Sequence, residues 1–404
     1  MKLIATLLLF CSSMSFAVHA QEITKWRNEN ATGRYSADKM LSVWPADGPQ
    51  ILWTFDQLGK GFSSPAFANG KIYLTGMVDG RAILFVLDMN GKELQKFDYG
   101  KEFDTSYPGS RSTPTIARDL AYMLTGNGRL VCLDLKTGKE KWNKDLFTQL
   151  DGANITWGVT ESLLVEGEVL FCTPGGKTNN VVALNRMTGD LIWSCAGLGE
   201  LSAYCTPLLV KLPARQLLVT HTASHVLGID ASNGKLLWNF GHPNQWSVHP
   251  NTPIYEDGKI FVFSGYGQGG EMLRLSVDGS AVTQEWAVKG FDSRMGGAVL
   301  MNGYMYGSGD TDRNWQCIDW KTGEKKYSSS AVGKGAVIAV NDKLVGYSEK
   351  GELFLATADP AALTVLSKTK VTLGSEQHWA HPVVDKGILY LRHGNVLIAY
   401  KISQ

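Results

Sequence analysis

The segment RLVCLDLKTGKEKW, residues 129–142, decides the fold because the chain repeats it. Related segments are NVVALNRMTGDLIW at residues 180–193 and HVLGIDASNGKLLW at residues 225–238, and WQCIDWKTGEKKY at residues 315–327 is a fourth. Each copy has an apolar run, an Asp or Asn, a turn that contains Gly, and a second run that ends in an aromatic residue. Self-similarity at a fixed spacing is the signature of a repeat architecture.

Each copy predicts a β-hairpin, because Gly in a Thr-Gly or Asn-Gly turn adopts positive φ at no steric cost. A second repeated segment lies upstream of each copy. It has a Pro, then a Gly or Asp five residues later, then a strand of alternating pattern, as in Pro253 and residues 259–263. Together the two pieces predict four short antiparallel strands, A to D. The aromatic residue that ends a copy (Trp142, Trp193 or Trp238) is expected to pack between neighbouring units.

The unit occurs eight times. Its Pro position falls at 65, 114, 162, 207, 253, 298, 337 and 382, with Ser, Ala and Val replacing Pro at 162, 298 and 337. The mean spacing between positions 65 and 382 is about 45 residues, the length of one propeller blade. The last unit lacks strand D, and residues 48–55 have the form of one. We therefore predict an all-β, eight-bladed β-propeller of four-stranded antiparallel blades, closed by an N-terminal strand.

The repeat resembles that of the pyrroloquinoline quinone (PQQ)-like propeller superfamily over roughly residues 44–402. Members of that superfamily include quinoprotein alcohol dehydrogenases and the propeller lipoprotein that assists outer-membrane protein assembly. The resemblance implies the fold but leaves the function open, because the fold carries both enzymes and non-catalytic scaffolds. Many of these dehydrogenases place a disulfide between adjacent cysteines against the quinone, and this chain has no adjacent cysteine pair.

The first residues predict export. A basic start, an apolar run from Leu3 to Phe10 and a small residue at Ala20 indicate a signal peptide over residues 1–20, too short for a stable membrane anchor. Cys11 follows the bulky Phe10, where a lipoprotein would carry a small residue. We therefore expect cleavage after Ala20.

Cleavage would leave an N-terminal extension at residues 21–47 and the propeller at residues 48–404, with no later segment apolar enough to span a bilayer. We expect a periplasmic or secreted monomer. Without residues 1–20, 38 basic and 38 acidic side chains balance, which gives no electrostatic footprint for nucleic acid. Five cysteines remain, and we expect free, buried thiols.

Polar and aromatic side chains collect just before the predicted A strands. Because A strands line the central channel of a propeller, these side chains should converge on its mouth from different blades. Such a mixture is typical of a ligand site, and the alternative is that the residues satisfy backbone groups and plug the channel. The predicted pocket contains Arg111, Trp157, Glu161, Tyr204, His249, Asn251, Arg294, His378, Trp379 and His381.

The first functional hypothesis is a binding propeller. Its pocket would hold a small polar molecule, a glycan or a segment of a partner protein. Arg111 and Arg294 would bind a polar or anionic group through forked hydrogen bonds. Trp157 and Trp379 would stack on a ring.

The second hypothesis, implied by the resemblance, is a PQQ-dependent alcohol dehydrogenase. In that family a Glu and an Asn help to hold calcium beside the quinone, and an Asp acts as base on the alcohol. Glu161, Asn251 and Asp292 occur in that order here. Glu161 and Asn251 would then be metal ligands, Asp292 and Glu161 catalytic residues, and PQQ and calcium the cofactors. The third hypothesis is a polysaccharide-active enzyme that uses His, Tyr and Arg for proton abstraction and charge neutralisation.

Overall fold

The computed structural model describes residues 23–404, and the predicted signal peptide with Cys11 lies outside them. The described chain forms eight four-stranded antiparallel blades, and in one of them a short parallel strand is added to the inner edge. Apart from that added strand, strand A is innermost and strand D outermost in each blade. The predicted all-β, eight-bladed propeller is confirmed.

The A strands are short, with three to six residues each. In the order A to D, the strands of blades 1 to 4 are Ala66–Ala68, Lys71–Val78, Arg81–Asp88 and Glu93–Lys101; Thr115–Ala117, Leu120–Leu124, Arg129–Asp134 and Glu140–Asp145; Leu164–Glu166, Val169–Cys172, Val181–Asn185 and Leu191–Cys195; and Leu208–Lys211, Gln216–His221, His225–Asp230 and Leu236–Gly241. Those of blades 5 to 8 are Ile254–Glu256, Lys259–Ser264, Gly269–Leu275 and Val282–Val288; Ala298–Met301, Tyr304–Ser308, Trp315–Asp319 and Lys325–Ser329; Gly335–Val340, Lys343–Ser348, Glu352–Thr357 and Val365–Lys370; and Val383–Asp385, Ile388–His393, Val396–Lys401 and Gln50–Phe55.

Strand D of every blade carries a bulge against strand C. An extra residue bends the strand and re-aims the side chain that follows it. In blade 3 that side chain is Trp193, whose ring lies 5.9 Å from Phe171 and whose Nε1 donates to the Ala231 carbonyl of blade 4 at 2.9 Å. Trp142 and Trp238 likewise donate to carbonyls of the next blade. The three tryptophans thus pack between blades, as the repeat predicts.

The ring closes where the sequence predicts. Gln50–Phe55 pairs antiparallel with Val396–Lys401 and becomes the outer strand of blade 8. Trp53 of this strand then donates to the Met89 carbonyl of blade 1 at 3.1 Å, which repeats the contact made by Trp142, Trp193 and Trp238. The chain ends therefore complete one blade between them.

The extension before this strand packs against the propeller, which the repeat does not predict. Its two-residue strand Arg34–Tyr35 pairs in parallel with Gly335–Val340 of blade 7. A single 3-10 turn, Glu29–Ala31, precedes it. Trp44 is buried among apolar side chains of blades 7 and 8. The extension thus joins the core of the propeller.

The apolar core lies between neighbouring blades. One cluster joins Ile338 and Tyr347 of blade 7 to Leu391 and Ile398 of blade 8. All five cysteines between residues 23 and 404 are buried and free, as expected. In that same range no helix has the length and apolar character needed to cross a bilayer.

Candidate functional site

A cavity of about 290 Å³ opens at the channel mouth, on the face that carries the D–A connections. We call it the mouth cavity. Segments that precede strand A in seven of the blades contribute to it, together with one residue of the extension and one of the connection between strands B and C of blade 5. Its aromatic members are Trp26, Phe62, Tyr107, Trp157, Tyr204, Tyr266 and Trp379, and its other main members are Arg111, Val248, Pro250, Arg294, Met295 and His381.

Seven of the 17 residues that line the cavity are Phe, Tyr or Trp. Trp379 lies 5.1 Å from Phe62 and 4.9 Å from Tyr107 between ring centroids, and Trp157 lies 6.2 Å from Tyr204. The backbone holds Tyr107 and Tyr204 at φ 48° and 71°, which is uncommon for bulky residues. Strained conformations of this kind cluster at ligand-binding positions.

Arg111 lies in the wall, but its guanidinium is already bonded within the protein. Nη1 donates to the Gly109 carbonyl at 2.7 Å, and Nη2 donates to the carbonyls of Ser106 and Tyr107 at 2.8 and 2.5 Å. The guanidinium carbon lies 4.8 Å from the Phe103 ring centroid, a cation–π distance. Burial lowers the pKa of Arg111 to about 10, so it stays charged at neutral pH. Arg111 thus holds its own loop in shape.

Arg294 belongs to a network of alternating charges at the cavity rim. Its Nη2 donates to both oxygens of Glu349 at 3.2 Å, and its Nε lies 3.9 Å from Asp310. Lys334 pairs with Asp310 and lies 3.6 Å from Glu349. Two cations and two anions thus neutralise one another. The expected forked grip of Arg111 and Arg294 on a ligand is replaced by contacts inside the protein.

The extension supplies the cavity floor. Trp26 lies edge-on to His381, with 5.2 Å between ring centroids. The neighbouring Arg27 is buried and donates to the Ala298 and Val337 carbonyls at 2.8 and 2.9 Å and to His381 Nδ1 at 2.6 Å. His381 Nε2 is 2.7 Å from a backbone carbonyl, so this nitrogen carries the proton. Burial and the adjacent guanidinium lower the pKa of His381 to about 3.

Glu161 and Asn251 lie behind the wall, outside the cavity. Both carboxylate oxygens of Glu161 are 3.1 Å from the Thr173 amide, which donates to them. Asn251 Nδ2 donates to the Ser293 carbonyl at 2.6 Å, and its Oδ1 accepts from the Gly297 amide at 3.1 Å. Both side chains therefore satisfy backbone groups, which was the alternative considered from the sequence.

Asp292 has the same kind of position. Its fully buried carboxylate accepts the amides of Asp310 and Gly267 at 2.8 and 3.0 Å and the Thr311 hydroxyl at 2.6 Å. These bonds fix two loops around the carboxylate. A base that acts on an alcohol must reach the substrate proton, and Asp292 lines no part of the mouth cavity.

The two residues expected to hold calcium, Glu161 and Asn251, therefore do not fit that ion. Glu161 and Asn251 have their oxygens turned to backbone amides and away from the cavity. Burial raises the pKa of Glu161 to about 8, which favours a neutral carboxyl group, whereas calcium binds ionised carboxylates.

This pKa leads to a prediction about stability. Because folding raises the pKa of Glu161 from 4.5 to about 8, folding favours its protonated form. The stabilisation that comes from protonated Glu161 is fully present below pH 4.5, the pKa in the unfolded chain. It is lost as the pH rises through about 8, the pKa in the folded protein. We expect the free energy of unfolding to fall between about pH 5 and 9, and Glu161→Gln to flatten the fall. Urea titrations at a series of pH values measure the free energy of unfolding. The exposed Glu324→Gln is the control. If the free energy of unfolding of Glu161→Gln falls with pH as steeply as that of the wild type, the prediction is wrong.

Two predicted histidines also lie outside the cavity. His249 is buried, its Nε2 donates to the Ala223 carbonyl at 3.1 Å, and its ring lies beside two other imidazoles. His378 Nδ1 contacts the Tyr347 hydroxyl, and its ring stacks on His393 at 3.8 Å. Burial and His393 lower the pKa of His378 to about 4.

The structure thus divides the predicted residues into two groups. Those around the mouth cavity are Arg111, Trp157, Tyr204, Arg294, Trp379 and His381. Those placed elsewhere are Glu161, His249, Asn251, Asp292 and His378. Sequence reasoning missed Phe62 and Tyr107, which lie in the same D–A connections, and Tyr266, which lies between strands B and C of blade 5. It also missed Trp26, for which the repeat carries no signal.

The sequence of the repeat matches a known protein family. A family model described as outer membrane protein assembly factor BamB matches residues 82–329, more than half of the chain. The chain belongs to this family. Within the BamB family match lie five complete blades and the wall residues Tyr107, Arg111, Trp157, Tyr204 and Arg294, whereas Trp26 and Trp379 lie outside it.

Individual relatives are distant. The outer membrane protein assembly factor BamB of Kangiella koreensis is 23% identical over 222 residues, which cover 53% of this chain and 52% of that protein. The quinoprotein alcohol dehydrogenase PedH of Pseudomonas putida is 25% identical over 188 residues, 42% of this chain and 29% of that protein. The chain thus spans about half or less of these relatives' lengths. The crystal structure of BamB from Moraxella catarrhalis matches with a TM-score of 0.62 at 12% identity, covering 87% of this chain and 99% of that one, which shows the shared fold.

Proposed function

We propose that the protein is an exported binding propeller that holds an aromatic or apolar side chain of a partner polypeptide in the mouth cavity. One observation carries this proposal: the aromatic rings face the cavity, while its charged groups are bonded within the protein. Arg111 is held by carbonyls, and Arg294 by Glu349. An apolar side chain entering the cavity would need no polar partner.

The aromatic wall, together with charged groups that are already engaged within the protein, favours a peptide over a glycan. Sugar hydroxyl groups need hydrogen-bond partners, and a polar group buried without one costs about 1–3 kcal/mol. Burying one large apolar side chain contributes about 1.5–3 kcal/mol. A volume of about 290 Å³ is at the small end for ligand pockets, which suits one or two side chains of a longer chain.

Export and the class of partner belong to the same proposal. The apolar run from Leu3 to Phe10 is typical of a signal peptide. The family description and the Kangiella relative's name both refer to outer-membrane protein assembly. Strands of outer-membrane barrels carry girdles of aromatic residues, which an unassembled barrel chain exposes. The aromatic side chains of such segments are of the kind that the mouth cavity would hold.

We expect a labelled heptapeptide with one central Phe in a Gly-Ser background to bind more tightly than its Leu counterpart, and the Ser counterpart not to bind. Trp157→Ala and Trp379→Ala should each weaken binding by about 30-fold, the effect of losing a hot-spot aromatic residue of about 2 kcal/mol. Fluorescence anisotropy of the labelled peptide measures this without relying on the tryptophans that are removed.

Leu191→Ala is the control for non-specific adhesion, because Leu191 is 48% exposed on the outer strand of blade 3, away from the cavity. This variant should bind as the wild type does. Displacement of the Phe peptide by an oligosaccharide would show a glycan site instead. A rise in melting temperature with PQQ and calcium would contradict the proposal in favour of the dehydrogenase.

A further inference from the structure

The central channel holds a second, larger cavity next to the mouth cavity. It has a volume of about 1270 Å³ and reaches the turns between strands A and B, such as those at Gly167 and Lys386, on the face opposite the D–A connections. We call it the lower cavity. Trp26 and Ser64 line both cavities. The indole of Trp26 and the small side chain of Ser64 therefore lie where the two cavities meet.

The segment that carries Trp26 crosses the channel from one side of the ring to the other. On one side, the Thr24 amide donates to the Ile116 carbonyl of blade 2 at 2.9 Å, and the Ile116 amide donates to Thr24 Oγ1 at 2.8 Å. On the other side, Arg27 donates to the Ala298 carbonyl of blade 6 at 2.8 Å. Blades 2 and 6 are opposite each other in a ring of eight. Residues 24–27 thus form a bar across the channel, which we call the crossbar.

The crossbar is fixed on both sides of Trp26. Arg27 is 4% exposed, and Gly33 and Gly297 lie so close to its guanidinium that an added Cβ at either position would clash with it. Close packing around a hydrogen-bonded side chain leaves it one position. Thr24 is paired through its backbone and its hydroxyl group. The indole between these two residues is therefore held in place.

The lining of the channel changes at Trp26. The mouth cavity presents aromatic rings, whereas charged side chains of both signs line the lower cavity. Among these are Lys25, Glu166 and Lys211, and Glu166 pairs with both lysines. An apolar guest in the lower cavity would take water away from charged groups, which is costly. Trp26 thus separates an apolar cavity from a polar one.

We propose that Trp26 determines the size of the side chain that the mouth cavity accepts. This inference rests on the function proposed for that cavity. The indole closes the floor beneath a guest of one ring, such as Phe, and collides with a guest that carries a second ring beyond the first. Steric exclusion of this kind is a common source of specificity. Trp157 and Trp379, in contrast, contact an aromatic guest of either length.

The test compares two labelled heptapeptides that differ only in the central residue, which is Phe in one and 4-phenylphenylalanine in the other. Fluorescence anisotropy gives the ratio of their dissociation constants. In the wild type we expect the two-ring peptide to bind about 10-fold more weakly, because extra bulk in a packed site is unfavourable. In Trp26→Ala we expect it to bind at least as tightly as the Phe peptide, because its second ring takes the space of the indole.

Glu29→Ala is the matched control, because Glu29 lies in the same extension and lines the lower cavity but not the mouth cavity. It should keep the wild-type ratio. Trp379→Ala should weaken binding of both peptides and leave the ratio unchanged, because Trp379 belongs to the side wall. Trp26→Leu keeps an apolar side chain of smaller size and should give an intermediate ratio. It decides the matter if Trp26→Ala does not fold.

Two results would overturn this inference and leave the proposed function intact. They are equal binding of the two peptides by the wild type, and a wild-type ratio in folded Trp26→Ala or Trp26→Leu. If neither peptide binds the wild type or any variant, the proposed function and this inference are both wrong.

Discussion

A chain that begins at residue 59 is expected to aggregate, whereas a chain that begins at residue 48 is expected to stay soluble. The difference between them is Gln50–Phe55, the outer strand of blade 8. Without it, Val396–Lys401 presents a row of unpaired backbone groups beside buried apolar side chains, a template for pairing with other chains. The blade also loses Trp53, which connects it to blade 1. We expect a loss of the order of the whole free energy of unfolding, about 5–15 kcal/mol.

Size-exclusion chromatography and thermal melts of the two truncated chains check this. The chain from residue 48 controls for the loss of the extension, which removes Arg27 and Trp44 but leaves the ring closed. A synthetic peptide of residues 47–58, added during refolding, should restore monomeric protein from the shorter chain. A monomeric shorter chain with an unchanged melting temperature would contradict closure by this strand.

Trp193→Ala is expected to destabilise the protein by about 3–5 kcal/mol, the usual cost of truncating a packed aromatic residue. Trp193 is 8% exposed, packs on Phe171 of its own blade, and donates to the Ala231 carbonyl of the next. Its ring also covers Gly234, where an added Cβ would lie 2.7 Å from the ring. Truncation would therefore leave a void where two blades meet. Urea unfolding monitored by circular dichroism measures the loss.

Ile192→Ala is the control for this prediction. Ile192 is the bulged residue directly before Trp193 and is 49% exposed, so its truncation should change stability by less than about 0.5 kcal/mol. Neither change should affect binding of the Phe peptide by the folded protein, because neither residue lines the mouth cavity. Equal losses in the two variants, or a stable Trp193→Ala that no longer binds, would show that Trp193 has another role.

The sequence by itself determined the propeller, the number of blades, the closing strand and the role of the tryptophans. Each of these follows from local patterns: a Gly turn, an alternating strand and an aromatic residue at a fixed position, repeated at constant spacing. Repetition makes the patterns reliable, because each blade contacts mainly its two neighbours. Equivalent positions therefore pack in the same way in every blade. The convergence of Arg111, Trp157 and Trp379 also followed, because strand A is innermost in every blade.

Only the tertiary structure decided which of these side chains face the cavity. Glu161, Asn251 and Asp292 begin blades as Trp157 and Tyr204 do, yet they turn to backbone amides supplied by segments distant in sequence. The same holds for Trp26 and Arg27, which fill the channel from an extension that has no copy elsewhere in the chain. A side chain's direction in an irregular loop depends on the groups brought to it by the rest of the fold, and local sequence does not contain those groups.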